Sequence, residues 1–292
     1  MIYSEAYRGF ANHQNLYLKG RLLNDPILIP SIRNTQSPFF DNFRRFLSRE
    51  KKNYPLYINI NNQIHQLHTD HEGYYALDIK VKNIPKENKI YAKIEGENIY
   101  ETTHPIIITN HSADYGIISD IDDTILHTEV ESMWRMLYHS LFKSPWQRES
   151  VKYAAEWFHN LSNDGKNPFF YISHSPWNIY QNIIKFLDIS KFPIGPVLLR
   201  DYGFYAFGKP EEYTNHKKIY IQKILDMHTH LPFILIGDAA EKDAAIYFDF
   251  LEKFPERVER IYIRSSHKMS QDLSKFTHHP KFTIIENFKD AL

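Results

Sequence analysis

Tyr115-Gly-Ile-Ile-Ser-Asp-Ile-Asp-Asp-Thr124 is the stretch whose reading decides the fold. Residues 115–119 form an apolar run of strand length, and Asp120 and Asp122 follow it two residues apart. Carboxylates at the carboxyl end of a buried strand are costly to desolvate unless a cation or a reaction uses them. Asp123 reads as a turn or cap residue. The pattern therefore points to a strand that ends in chemistry.

Outward from that strand, apolar runs alternate with amphipathic stretches. Strands are expected at 115–120, 168–172, 196–200, 232–237, 259–264 and 282–286. Helical spacing appears at Val151, Ala154, Ala155 and Phe158, then at Ile179, Ile183, Phe186 and Leu187, and again at Tyr247, Phe250, Leu251 and Phe254. Apolar strands separated by helices predict an α/β domain, a Rossmann-like parallel sheet with helices on both faces. Such sheets bind ligands beyond the carboxyl ends of their strands.

The first third reads differently. Leu56–Ile60, Tyr75–Ile79 and Ile90–Ile94 alternate with period two, the mark of strands with one buried face. Asp70 and Gly73 sit where a hairpin turn belongs. Their Thr-Asp-x-x-Gly-Tyr context resembles small transthyretin-like or carboxypeptidase-regulatory β-sandwich modules. The expected organisation is a mainly β, sandwich-like N-terminal domain over residues 1–112 and a catalytic domain over 113–292. One helix is expected near 38–52, with Ser37 as N-cap and Pro38 in the first turn. Phe39, Phe43, Phe46 and Leu47 make its apolar stripe, and Arg44, Arg45, Arg49, Lys51 and Lys52 its basic face. Two readings stand for it: a helix packed on the sandwich, or one attracted to anionic lipid.

The composition excludes several classes. Of 292 residues 24% are charged and 42% hydrophobic, and net charge is zero, which argues against a dedicated nucleic-acid binder. Without cysteine, neither a disulfide framework nor a zinc–thiolate site can form, in keeping with a reducing compartment. No apolar run approaches the roughly 20 residues of a membrane span, and the N-terminus lacks a secretory signal pattern. The expectation is a cytoplasmic protein, with peripheral attachment to a membrane surface left open; oligomeric state is not readable.

Three further motifs follow the first in order: Ser173 after the run 168–172, Lys217 near the start of an amphipathic stretch, and Gly237-Asp238 with Asp243 five residues later. A strand ending in Asp-x-Asp-x-Thr with these successors resembles the haloacid dehalogenase superfamily. The resemblance implies Mg²⁺-dependent phosphoryl transfer. Asp120 would be the nucleophile and Asp122 the acid and base, while Thr124 would hold the turn. Ser173 would hydrogen-bond the transferring phosphoryl group, and Ser175-Pro176 would begin the next helix as N-cap and first-turn residue. Lys217, with Asn215 as helix cap, would offset the charge on nucleophile and phosphate; adjacent Lys218 is the rival. Asp120, Asp238 and the Asp122 carbonyl would hold Mg²⁺, with Asp243 ligating or orienting. His174 reads as a bystander.

Longer blocks narrow the likeness. Ile117–Thr124, Tyr171-Ile-Ser-His-Ser-Pro-Trp-Asn178, Gly195-Pro-Val-Leu-Leu-Arg-Asp201 and Ile236–Asp238 together resemble the catalytic domain of the actin-patch-protein type of phosphatidate phosphatase, over about residues 115–265. This implies hydrolysis of phosphatidate, or a related lipid phosphate, to diacylglycerol and phosphate. Arg200 would bind phosphate bidentately or pair with Asp201. No stretch before or after the second motif is long enough for a full cap domain, so the site is expected to be open. The aromatic insert 129–148, with Trp134, Tyr138, Phe142 and Trp146, has two readings, membrane contact or core packing. The rival functions are an open-site phosphatase for phosphoproteins or polynucleotide ends, and a non-catalytic adaptor.

Overall fold

The computed structural model describes residues 2–24, 50–121, 145–200, 210–239, 242–265 and 272–291, apart from positions 83, 85, 86, 88, 111 and 287. Asp122, Thr124, Asp201, nearly all of the 38–52 segment and the insert up to residue 144 lie outside the described residues. The last positions of 38–52 are described and are not helical: Glu50 forms a β-bridge with Leu23. The chain divides into two units, Met1–Thr109 and Asn110–Leu292. No described helix is long and apolar enough to cross a membrane.

The first unit is mainly β. Its strands are β1 (Ile2–Ala6), β2 (Gly9–Ala11), β3 (Asn15–Leu23), β4 (Pro55–Ile60), β5 (Gln63–His68), β6 (Tyr74–Lys80), β7 (Lys89–Glu95), β8 (Ile99–Tyr100) and β9 (Thr102–Ile108). They form one mixed sheet in the order β5-β4-β7-β9-β2-β3-β1-β8, with β6 paired to β3. The sandwich expectation thus takes the form of one network, because nine-residue β3 pairs with β1, β2 and β6 together. Leu56 and Ile58 of β4, far along that order from β3, share a core with Leu18 and Leu22.

Turn chemistry explains what the period missed. Asn61 and Asn62, both at positive φ (49° and 64°), join β4 to β5 in a two-residue hairpin; asparagine tolerates that region where most residues do not. Asp70 does build a turn, its Oδ1 accepting from the Glu72 and Tyr74 amides at 2.8 and 2.9 Å. The strands on either side of it are not partners, however, since β5 pairs with β4 and β6 with β3. The turn hands the chain to a different neighbour and closes no hairpin.

A buried polar chain crosses this core. His104 Nδ1 lies 3.0 Å from the Tyr7 carbonyl, which can only accept, so Nδ1 carries the hydrogen. Burial lowers the His104 imidazole to about 4, so its Nε2 accepts from the Tyr75 hydroxyl at 2.6 Å, and Tyr75 in turn accepts from Ser4 Oγ at 2.6 Å. Glycine at position 20 makes room for this: a Cβ there would overlap the Tyr75 ring and the His104 ring edge. Because the imidazole protonates near pH 6.5 when unfolded but near 4 when folded, its contribution is complete above pH 6.5 and is lost on acidification. Acidifying from pH 7 to 4 should remove about 3 kcal/mol that a His104→Phe variant does not lose through this group. Amide exchange in β1, β6 and β9 of the full chain checks this; equal pH dependence in both proteins would refute it.

The second unit is the expected parallel sheet. Its strands are β10 (Gly116–Asp120), β11 (Phe169–Pro176), β12 (Val197–Arg200), β13 (Phe233–Asp238), β14 (Val258–Arg264) and β15 (Phe282–Ile285), in the order β12-β11-β10-β13-β14-β15. Helices α1 (Pro145–Ser162), α2 (Tyr180–Ile189), α3 (Pro210–Met227) and α4 (Asp243–Lys253) connect them. The chain runs outward from β10 to β12, then crosses back to β13. Right-handed crossovers therefore put α1 and α2 on one face and α3 and α4 on the other. Aromatic contacts seat α1: Phe158 stacks on Phe169 at 5.0 Å, and Trp157 meets Tyr262 edge-on at 5.1 Å. Such pairs add about 0.5–1.5 kcal/mol each beyond burial.

Two helix starts differ from expectation. Helix α3 begins at Pro210 and the acidic pair Glu211-Glu212, a stronger start signal than Asn215, which lies inside the helix. Ser175 and Pro176 belong to β11, and α2 begins only at Tyr180, after a 3-10 turn over Trp177–Ile179. Its N-cap, Ile179, makes no side-chain cap bond. Strand pairing with β12, where Pro176 opposes Arg200, holds the chain extended past the expected cap.

Candidate active site

The strand order reverses between β10 and β13, the place where open parallel sheets bind ligands. Asp120 ends β10 and Asp238 ends β13, neighbouring strands whose register pairs Ser119 with Ile236. Both aspartates are fully buried.

Lys217 comes to them from α3. Its Nζ lies 2.8 Å from Asp120 Oδ1 and 2.5 Å from Asp243 Oδ1, with the side chain 1% exposed. Its neighbour Lys218 turns away to Asp249 at 2.7 Å, with both partners partly exposed. Asp243 is the first residue of α4, and its second oxygen accepts from the Asp238 amide at 3.3 Å. That closeness depends on Gly237, where a Cβ would stand 2.5 Å from Asp243 Oδ2 and 2.7 Å from Asp243 Cβ. The Tyr247 hydroxyl donates to the Ile236 carbonyl at 3.1 Å and fastens α4 to the same strand end.

On the other side of β10, Asp120 is level with Ile172 of β11, so Ser173 stands one residue further out. Ser173 is buried, and its Oγ accepts from the Ser175 amide at 2.9 Å. The ladder to β12 shifts register between Ile172 and Pro176. Bulges of this kind re-aim side chains beside active sites. His174 lies within the shift, its ring centroid 5.9 Å from that of His216 on α3. Arg200 ends β12 and is buried. Burial first, then the charges of Lys217 and Arg200, lower the His174 imidazole to about 3. Burial likewise lowers His216 to about 3, helped by His174, Lys217 and Arg200.

The structure thus brings Asp120, Lys217, Asp243 and the Asp238 backbone together, with Ser173 and Arg200 at the ends of the strands next in order. Of the residues expected at the site, Asp122 and Thr124 lie outside the described residues. His216 was not singled out by the sequence reading; its position directly before Lys217 was the signal, because a side chain one residue from a site lysine leaves the same helical turn.

Two buried hard-oxygen donors at adjacent strand ends suit Mg²⁺, which binds through one or two carboxylates and keeps waters or phosphate oxygens for the rest. Asp120 and Asp238 are such a pair. Among the described residues no group of three His, Cys, Asp or Glu is placed to hold a metal ion, and both Asp243 oxygens already accept from protein groups. The donor set fits Mg²⁺ rather than a nitrogen- or sulfur-seeking ion.

The chain is 29% identical over 208 residues to the phosphatidate phosphatase APP1 of Saccharomyces cerevisiae, covering 70% of this chain and 35% of that protein. It is 25% identical to an uncharacterized protein of Schizosaccharomyces pombe, covering 67% and 34%. The chain thus spans about a third of the length of these relatives. Among solved structures, a haloacid dehalogenase-like hydrolase from Bacillus subtilis aligns at 10% identity and a TM-score of 0.34, over 62% of this chain and 88% of its own. The family model for the catalytic domain of phosphatidate phosphatase APP1 matches residues 115–265, more than half of the chain and the whole stretch from β10 to the end of β14, and the chain belongs to that family.

Proposed function

We propose that the chain is a Mg²⁺-dependent phosphomonoester hydrolase acting on phosphatidate at a membrane surface from the cytoplasm. The observation that carries the reading is the buried Lys217 ammonium held between Asp120 and Asp243 where the sheet reverses, with Asp238 ending the adjacent strand. An ammonium there suits a transition state whose charge is spread over phosphoryl oxygens.

An Asp120 oxygen attacks phosphorus in line, forming an acyl phosphate as the phosphorus–oxygen bond to glycerol breaks. The departing oxygen takes a proton from Asp122, and diacylglycerol leaves. Water then attacks the acyl phosphate and gives its proton to Asp122, releasing inorganic phosphate and restoring the Asp120 carboxylate. Ser173 donates its hydroxyl hydrogen to a phosphoryl oxygen, and Arg200 supplies a second positive charge from β12. Asp243 holds Lys217 in place and orients the Asp238 backbone. Bound Mg²⁺ would sit on Asp120 and Asp238 and supply charge neutralisation of the phosphoryl oxygens.

Neither 121–144 nor 201–209 is long enough for a separate cap domain, which supports a substrate that stays partly in a lipid surface. Phosphate release from phosphatidate in mixed micelles should exceed release from phosphopeptides or phosphate-ended oligonucleotides, and a chelator should abolish it. Faster turnover of either soluble polymer would reassign the substrate on the same chemistry. No turnover of any phosphomonoester would favour a non-catalytic adaptor.

A further inference from the structure

The mechanism above leaves His216 unused, yet no side chain on α3 is closer in sequence to the site lysine. His216 Nε2 lies 3.2 Å from the Ser173 carbonyl. A carbonyl only accepts, so Nε2 carries the hydrogen and donates it. The ring is confined on two sides, by His174 at 5.9 Å and by Tyr220, which meets it edge-on at 4.9 Å and 83°. The next residue, Lys217, grips Asp120 and Asp243. One turn of α3 thus holds β10 through Asp120, α4 through Asp243, and β11 through Ser173.

The last of these holds is the one that matters where the chain is least regular. Ser173 stands just past the level of Asp120, where the ladder to β12 has lost its register. A ladder in register would set the depth of a serine by itself; here a bond from another element does so. Among the described residues, the groups facing His216 are His174 of β11, Arg200 of β12, and Lys217 and Tyr220 of its own helix. None supplies a negative charge, and burial among them keeps the imidazole neutral and its donor in place through ordinary pH.

We propose that His216 is a positioning residue that fixes the Ser173 turn relative to Lys217 and Asp120, so that a phosphoryl group held by the serine meets the nucleophile in line. This rests on the phosphatase reading given above. It acts through Ser173 and does not itself touch the reacting atoms.

The test uses the full chain with Mg²⁺ and p-nitrophenyl phosphate. His216→Phe keeps a ring against Tyr220 and His174 but removes the donor. Its kcat should fall about 10- to 100-fold, the cost of a reacting group held about an ångström out of place, with a smaller change in KM. His216→Gln, whose amide nitrogen reaches where Nε2 was, should recover most of the loss, whereas His216→Asn, which is shorter, should not. In a Ser173→Ala background His216→Phe should cost almost nothing more, because both changes remove one arrangement. Wild-type kcat in His216→Phe, or the same fold-loss with and without Ser173, would overturn the proposal. Should the Phe variant fail to fold, equal kcat for the Gln and Asn variants overturns it instead. An inactive wild-type protein would overturn the phosphatase reading itself, which separates that failure from this one.

Discussion

An Asp120→Asn variant is expected to lose phosphate release by at least about 10³-fold while melting at or above the wild-type temperature in metal-free buffer. The activity loss follows from the chemistry, since an amide oxygen does not form a stable acyl phosphate. The stability gain follows from the charge arrangement. Asp120, Asp238 and Asp243 are all buried at one end of the sheet, and Lys217 is the ammonium that Asp120 and Asp243 share. Buried like charges destabilise the folded state, a cost that sites tuned for activity commonly carry. The amide keeps the shape of the side chain and removes one negative charge, and Asp243 remains to hold Lys217. Turnover comparable with wild type would remove Asp120 from the nucleophile role. A sharply lowered melting temperature would show that the carboxylate serves the fold as well.

Lys217→Met should be damaging in both respects. The thioether keeps most of the stem volume but leaves Asp120 and Asp243 buried without their shared cation. Breaking a buried ion pair from one side costs about 3–5 kcal/mol. Turnover should be lost nearly completely, because the phosphoryl charge loses a buried compensating ammonium. The control is Lys218→Met. Its partner Asp249 lies 2.7 Å away in a half-exposed pair, and such pairs contribute about 0–1 kcal/mol. That variant should match wild type in melting temperature and in rate. If Lys218→Met is the more damaging change, the two lysines have been assigned the wrong way round.

The catalytic unit was legible because buried parallel strands read as continuous apolar runs. Gly116–Asp120 and Phe233–Asp238 announce themselves, and each run stops on a carboxylate. The N-terminal unit was legible only where one face is wet, as in β4 and β7. In β1 to β3 that alternation fails, since Ser4, Glu5 and Arg21 are buried beside apolar neighbours and a period of two has nothing to contrast. Local signals also lost to tertiary ones. Ser175-Pro176 has the chemistry of a helix start, but pairing with β12 keeps it extended. Asp70 and Gly73 make their turn, yet which strands it joins depends on partners distant in the chain.

By itself the sequence determined the order of the candidate residues: carboxylates at strand ends, a serine on the next strand, a lysine on a helix, and an aspartate opening another. The carboxylates follow from solvation, because a charged group ending an apolar run must meet something that compensates it; the serine, the lysine and Asp243 followed from the resemblance to the haloacid dehalogenase superfamily. Only the tertiary structure decided which of two adjacent lysines turns inward, that Asp243 faces Lys217, and that His216 grips the Ser173 turn. The reason is geometric. Successive helix residues point about 100° apart, so neighbours in sequence part company while residues far apart in the chain converge on one turn of α3.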